Sequence, residues 1–435
     1  MRTDYLANST NTLPQLAGAT SASVGVQHRV PAIMLATILL LSLIGLSPVA
    51  FSGPAALPDT PSGSGDFLRQ ASFVIVFVVL AWHVGITRGL NHLLRIPISF
   101  VVVLGWCWLS TLWAVDPGIS IRRIGLTTLV IVSVTYAVRG MPSGTTANVL
   151  IGTFIVVLAA DWISIPLLHY AIQQPDEIEK GLAGDWRGLH LHKNEAGAFC
   201  AMALIVFASA ANRARPRILG LLAVAAAAGF LFFTQSKTSG GFVFVAMLIG
   251  LVSKRGYNNP TLRDVWLLMA ICAAVVAVSL DVIPYDLIDA EINDPAALTG
   301  RVQIWPVLMQ FAHDHFLLGS GYGSFWAIGG DSPIYAYASD WITTIFEAHN
   351  GYLDLQVQIG FIGLVLVICL LVIRPLYVLF FQPLRGDVSR WLICSVLTFG
   401  FLHDLLESSF LDRANPTWVI MVVMYILLED AQTTA

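Results

Sequence analysis

Charged residues are scarce in this sequence. Only 11% of its 435 residues are Asp, Glu, Lys or Arg, and 56% are hydrophobic. Soluble domains carry about 25% charged residues, so a soluble enzyme of this composition is excluded for want of polar surface. Basic tracts are missing too: 23 Lys and Arg stand against 27 Asp and Glu, a net charge of −4. Nucleic acid is therefore not among the expected partners. The five cysteines (Cys107, Cys200, Cys272, Cys369 and Cys394) stand singly inside apolar runs. They have neither the CxxC spacing of a zinc site nor the setting of a disulfide frame. No phosphate-cradling P-loop occurs, and no Asp-x-Asp pair that would hold a metal–nucleotide complex.

What the chain has instead is long hydrophobic runs. Mean hydropathy is +0.75. Apolar stretches of helical length recur at about 30–51, 67–87, 97–114, 124–138, 147–168, 195–211, 216–234, 240–253, 265–284, 354–373, 389–406 and 416–429. Such runs suit a bilayer, where the backbone must satisfy its own hydrogen bonds, and that means helices. The expected fold class is an all-α polytopic membrane protein with about twelve transmembrane helices. The expected divisions are a cytoplasmic tail at 1–29, nine helices over 30–284 with an outer loop at 170–194, a large outer loop at 285–350, three helices over 351–430, and a tail at 431–435. The polar stretch Met1–Gln27 reads as a disordered tail. The apolar run after it is too long, and begins too far in, for a signal peptide.

Lys and Arg set the orientation. With the N-terminus inside, fourteen of the 23 fall at cytoplasmic ends, Arg2, Arg139, Arg374 and Arg390 among them, and both termini are cytoplasmic. The other nine are outside: Arg69, Arg122, Arg123, Lys180, Arg187, Lys193, Lys237, Arg301 and Arg413. Local acidic neighbours account for Lys180 and Arg413, and Asp185 stands near Arg187. Lys237 and Arg301 have no acidic residue within several positions, so they invite a functional reason.

At 66 residues, the outer loop from Tyr285 to Asn350 is far longer than an ordinary connection. Its many aromatics, among them Trp305, Trp326 and Trp341, mark it as ordered. Val302, Trp305, Leu308, Met309, Ala312 and Phe316 recur at helical spacing, which predicts an amphipathic helix on the outer surface with Pro306 in or near its first turn. The cluster Gly319-Ser-Gly321-Tyr-Gly323 ends that helix. It is no nucleotide fingerprint, because no strand precedes it.

Three outward-facing helix starts are expected, each introduced by polar residues: Arg187–Asn194, Gln235–Ser239 and Glu347–Asn350. The plain reading of Asn194, Ser236 and Asn350 is N-capping. A helix N-terminus also presents free N–H groups and about half a positive charge. Three of them, with Arg187, Lys237 and Arg301 nearby, would suit a highly charged anion such as a lipid-linked pyrophosphate. His349 is the best candidate for proton transfer, since imidazole titrates near neutral pH. His190 and His192 share a face only in extended structure, and His313 and His315 diverge on a helix, so no metal site is expected. His83, Asp161, His403 and Asp404 lie inside apolar spans, where they either form a polar path or are satisfied by neighbouring helices.

Six segments occur in a characteristic order: His192-Lys-Asn194-Glu-Ala-Gly197, Thr234-Gln-Ser236-Lys237-Thr-Ser239, Thr299-Gly-Arg301-Val-Gln-Ile-Trp305, the glycine cluster, Ala348-His349-Asn350-Gly-Tyr-Leu353-Asp354 and Leu406-Glu407-Ser408. Together they resemble the bacterial O-antigen ligase and exopolysaccharide polymerase superfamily, the Wzy-like and ExoQ-like integral membrane proteins. The resemblance runs from roughly 185 to 415. It implies a cofactor-free, metal-independent glycosyltransferase of the bacterial inner membrane, with its active face and long loop in the periplasm. The implied donor is an undecaprenyl-pyrophosphate-linked glycan and the acceptor a second glycan, in contact with the bilayer and with other polysaccharide export proteins. Arg187, Lys237 and Arg301 would bind the pyrophosphate, Arg187 and Arg301 in a catalytic role. His349 would orient or deprotonate the acceptor hydroxyl, with Asn194, Asn350, His192 and Trp305 at the substrates. Lys237 stands where many relatives have arginine, which keeps the charge but loses the bidentate fork. The His-Lys-Asn-x-x-Gly form is nearer the polymerases than the ligases, so polymerisation of repeat units is the expected reaction. Ligation to lipid A–core is the alternative. A flippase of the same glycans is the rival outside that chemistry, although the internal repeat that transporters commonly show is not visible here.

Overall fold

The computed structural model describes residues 28–46, 48, 51, 67–175, 180–211, 214–256, 301–386, 389–413 and 415–433. Its main helices are α1 (Arg29–Leu43), α2 (Phe67–Arg88), α3 (Ile98–Leu109), α4 (Pro117–Arg139), α5 (Ser143–Leu167), α6 (Lys193–Ala210), α7 (Arg217–Phe233) and α8 (Lys237–Gly256). After these come α9 (Arg301–Asp314), α10 (Gly351–Phe381), α11 (Arg390–His403) and α12 (Pro416–Thr433). Every expected span except one falls on these helices; the exception, 265–284, lies outside the described residues, as do the tails at 1–27 and 434–435. Among the described residues, five helices (α2, α4, α5, α8 and α10) are long and apolar enough to cross a membrane. Shorter apolar helices occupy α1, α3, α7 and α11.

The pattern of burial follows from composition. α6 is buried without a break from Ala196 to Phe207, and α12 from Thr417 to Leu428. A helix apolar all round belongs inside the bundle. α2 instead turns Ile75, Val78, Trp82 and Ile86 outward on one face, with Trp82 72% exposed. In a membrane protein such a stripe faces lipid.

The two ends of the bundle differ. At one, Arg139 of α4 pairs with Asp430 of α12 at 2.8 Å, and Arg374 pairs with Glu429. At the other, the starts of α6, α8 and α10 meet the end of α11. Gly197 of α6 packs so tightly that a Cβ there would lie 2.5 Å from Ser236 Cβ, at the entrance to α8. The N–H of Gly351, opening α10, donates to Asp404 O at 2.7 Å and Glu407 O at 2.9 Å, just past α11.

The long loop before α10, described from Arg301 onward, does contain a helix with an apolar stripe. Only part of the expected stripe is covered: Leu308 and Ala312, with Ile304 and Phe311, join Phe325, Trp326, Ile334, Ala348 and Val357 in a second hydrophobic core, while Met309 and Phe316 stay exposed. Pro306 is inside the helix. The glycine cluster fastens this unit to the bundle. Gly321 has φ +89°, and a Cβ there would sit 2.5 Å from Ala114 Cα. Tyr322 beside it donates its N–H to no free space but to Ser110 Oγ at 2.9 Å, and its hydroxyl to Leu411 O at 2.6 Å. Arg123 of α4 donates to Trp326 O at 2.7 Å and Ala327 O at 3.0 Å, which gives this cation a structural reason. The loop also interrupts α10 at Gly360 (φ +67°), where Phe361 N–H donates to Phe316 O at 2.8 Å. Trp106 of α3 takes the neighbouring Ile359 carbonyl at 3.0 Å, so the broken helix leaves that group satisfied.

Gly321→Ala therefore combines a left-handed backbone with a backbone clash. We expect a loss of at least about 2 kcal/mol, read as a lower Tm and faster proteolysis within 315–350, with helical circular dichroism largely retained.

Candidate functional site

The turn after α11 is the seat of the site. Asp404 folds it: Oδ1 accepts the N–H of Ser409 at 2.7 Å and of Phe410 at 3.2 Å, and Oδ2 accepts the Ser409 hydroxyl at 2.7 Å. The carboxylate inside an apolar span is thus satisfied by its own turn. Ser408 Oγ accepts the N–H of Asn350 at 3.2 Å, docking the start of α10 on the same turn.

Between these anchors projects Glu407. Its Oε1 accepts from Arg301 Nη2 on α9 at 2.7 Å and from Asn194 Nδ2 on α6 at 2.7 Å. Its Oε2 lies 3.4 Å from His349 Nδ1, and Glu347 Oε1 lies 3.2 Å from the same nitrogen. Arg301 also donates to Leu406 O at 2.8 Å. The Arg301 and Glu407 side chains are only 8% and 12% exposed. Burial pushes the Glu407 pKa up, but the hydrogen bond with His349 and the charges of His403 and Arg301 outweigh it and hold the group at about 2. Glu347 moves the other way: its side chain keeps 44% exposure, yet partial withdrawal from solvent and the facing Glu407 carboxylate raise it above the ordinary range. The cluster thus holds one firmly ionised carboxylate and one that favours its proton.

His349 is held in an uncommon backbone conformation, φ +49°, of a kind that clusters at functional sites. The Trp305 indole N–H donates to Ala348 O at 3.0 Å and fixes the residue before it. A proton on Nδ1 would face the ionised Glu407 carboxylate at 3.4 Å and leave Nε2 its lone pair. A base aimed by a carboxylate is the logic of nucleophile activation in acyl transfer, here available for a hydroxyl. The Glu347, His349 and Glu407 ligand atoms lie within 4.8 Å of one another. They could hold a metal ion only by giving up the Nδ1 proton.

Among the residues singled out by sequence, the structure brings Arg301, Asn194, His349 and Asn350 to this one turn. Lys237 is exposed at the start of α8, beside the Gly197–Ser236 contact. Two presumed substrate ligands are spent on capping instead: His192 Nδ1 accepts Asn194 N–H at 3.2 Å, and Asn350 Oδ1 accepts from Tyr352 and Leu353 at 3.1 and 3.0 Å. The first N–H groups of α10 are therefore occupied, because local acceptors reach them first. Positive charge at this site comes from side chains. Arg187 is 2% exposed and built into its own loop, its Nε donating to Tyr170 O at 2.7 Å. Glu407 had no assigned role in the sequence; its signals were an acidic residue at the outer end of an apolar run and a place in the Leu406-Glu407-Ser408 segment.

His190 and His192 diverge. His190 is buried against Asp161 of α5, Nε2 to Oδ2 3.2 Å, while Asp161 Oδ1 accepts the Leu189 N–H at 3.0 Å. This pair anchors the Arg187 loop. Burial lowers the His190 pKa, but the charge and hydrogen bond of Asp161 prevail and raise it. A raised histidine stabilises below its unfolded value, about 6.5, and loses that contribution as pH climbs through the folded value. We expect amide exchange over 187–191 to accelerate in that alkaline direction beyond its intrinsic pH dependence. Asp161→Asn should remove the extra dependence while exchange becomes fast throughout.

A family model described as O-antigen ligase matches residues 221–368. That segment holds Lys237, Arg301, Trp305, Glu347, His349 and Asn350, and leaves Arg187, Asn194 and Glu407 outside. Over about a third of its length the chain thus resembles an O-antigen ligase family domain. No curated protein matches it.

Proposed function

We propose that this protein polymerises undecaprenyl-pyrophosphate-linked oligosaccharide repeat units on the periplasmic face of a bacterial inner membrane. The observation that carries the reading is the convergence of a cation, an oriented imidazole and an amide on Glu407, from α9, the α10 entrance and α6. The acceptor hydroxyl gives its proton to His349 Nε2 as its oxygen bonds to the anomeric carbon of the donor. The bond from that carbon to the pyrophosphate oxygen breaks, and the leaving group departs with its electron pair. Arg301 and the exposed Lys237 stabilise the growing negative charge, the kind of help that dominates such reactions. Arg187 would need its loop to open before it could touch the same group. Neither metal nor cofactor takes part in this reading; two cations and a carboxylate-held base supply the chemistry. Transfer to lipid A–core would use the same groups and differ only in the acceptor. A flippase is less well supported, since the polar groups gather at one end of the bundle rather than around a midplane site.

With purified protein in detergent and lipid-linked repeat units, His349→Ala should lose chain extension by about 10²–10⁴-fold at unchanged Tm. Normal product lengths from this variant would remove His349 from the mechanism. Arg301→Ala should raise the donor KM well above the acceptor KM, and rescue by excess acceptor alone would overturn the pyrophosphate assignment. EDTA should leave turnover unchanged; strong inhibition would point instead to an ion at Glu347, His349 and Glu407.

A further inference from the structure

With Arg301 and His349 in the roles proposed above, we infer that Glu407 is a positioning residue that reports donor arrival to the base. Its one carboxylate is divided between Arg301 and His349, and a pyrophosphate that takes Arg301 leaves the carboxylate to His349. The two contacts are unequal. Arg301 Nη2 and Asn194 Nδ2 are both 2.7 Å from Oε1, whereas His349 Nδ1 is 3.4 Å from Oε2. The first distance is that of a strong charge-assisted bond, and the second is beyond the ordinary range. In the resting site the carboxylate is drawn to Arg301 and holds His349 loosely.

A pyrophosphate diester carries more negative charge than one carboxylate and matches the guanidinium fork. When it engages Arg301, Glu407 keeps Asn194 and turns its charge to His349. The Nδ1–H contact tightens, imidazolium is better stabilised, and Nε2 becomes a stronger base. The base is thus at full strength only with the donor in place, so an acceptor bound alone is not activated. Beside this imidazole stand Glu347 and Glu407, and the titratable and charged groups that act on those two carboxylates are His403 at the end of α11, Arg301 on α9, Asp354 on α10, Glu195 on α6 and Asp412 past the turn. Of these, Glu407 alone contacts both Arg301 and His349 among the described hydrogen bonds and ion pairs.

The test uses the full-length protein in detergent, inorganic pyrophosphate as the binding probe and lipid-linked repeat units for turnover. Glu407→Gln keeps an acceptor for Arg301 but removes the charge. Pyrophosphate should then bind about tenfold more tightly, the donor KM should fall, and kcat should drop on the order of 10²-fold. The acidic limb of the kcat profile should move down by about one pH unit, since imidazolium has lost its anionic partner. A purely structural role for Glu407 would weaken binding and turnover together and leave the limb in place. Unchanged pyrophosphate binding or an unmoved limb overturns the inference. Should the variant fail to fold, the wild-type protein carries the test: the acidic limb of turnover should lie at higher pH with saturating donor than with trace donor, and coincident limbs overturn it. Arg301→Ala and His349→Ala separate the two levels. If both keep wild-type turnover, the site reading itself fails; if both are impaired while Glu407→Gln behaves as wild type, only the donor-sensing role is lost.

Discussion

Taking a carboxylate out of water costs several kcal/mol unless it is paired and its lone pairs are used. Glu407 meets that requirement with partners from separate parts of the chain: Asn194 on α6, Arg301 on α9 and His349 at the entrance to α10. Each partner lies more than fifty residues away in sequence, so the buried charge sets where these elements must stand relative to the end of α11. Removing Arg301 or Asn194 leaves the carboxylate desolvated and underpaired, whereas His349, at 3.4 Å, makes the longer contact. The dependence is mutual, since Arg301 is itself nearly buried and needs the carboxylate as much as the carboxylate needs it.

The loop between α9 and α10 keeps that arrangement closed from one side. Its small core ties α9 to Ala348, immediately before His349, while Tyr322 links the glycine cluster to α4 through Thr127 and to Leu411 beyond the Glu407 turn. Arg123 grips the next few carbonyls. Position is therefore transmitted from the bundle to the base through backbone contacts, in which side-chain identity matters less than close approach. That is why two of the tightest contacts fall on glycines, Gly321 against Ala114 and Gly360 against Leu317.

How legible this was in the sequence depended on the range of the interaction. Helices are local facts of composition: the apolar runs coincide with helices, five of which among the described residues are long and apolar enough to cross a membrane, and even the helix at Arg301–Asp314 announced itself by its periodicity. What covers a helix is a long-range fact, so the same periodicity could not tell a membrane surface from the Phe325–Trp326 core that α9 meets. Capping illustrates the limit at short range. Asn194 carries a favoured capping side chain, yet His192 two residues earlier takes the N–H and frees Asn194 to reach Glu407. Arg301 lacked an acidic neighbour in sequence and has one in space, 106 positions away. Glu407 itself could be weighed only once its three partners met in space.

The contrast between Arg301 and Lys237 follows from the same geometry. Arg301 must satisfy a backbone carbonyl, Leu406 O, and a carboxylate oxygen at once from a nearly buried position. Both bonds leave one Nη2, whose two N–H directions the guanidinium plane fixes, whereas an ammonium on a flexible stem has no such fixed directions. Lys237 sits exposed at the first turn of α8, where no such pair of acceptors has to be held and a mobile point charge serves. An arginine is therefore not required by packing at 237 as it is at 301. On the proposed reading, the fixed cation positions the pyrophosphate while the mobile one follows its charge as the glycosidic bond breaks.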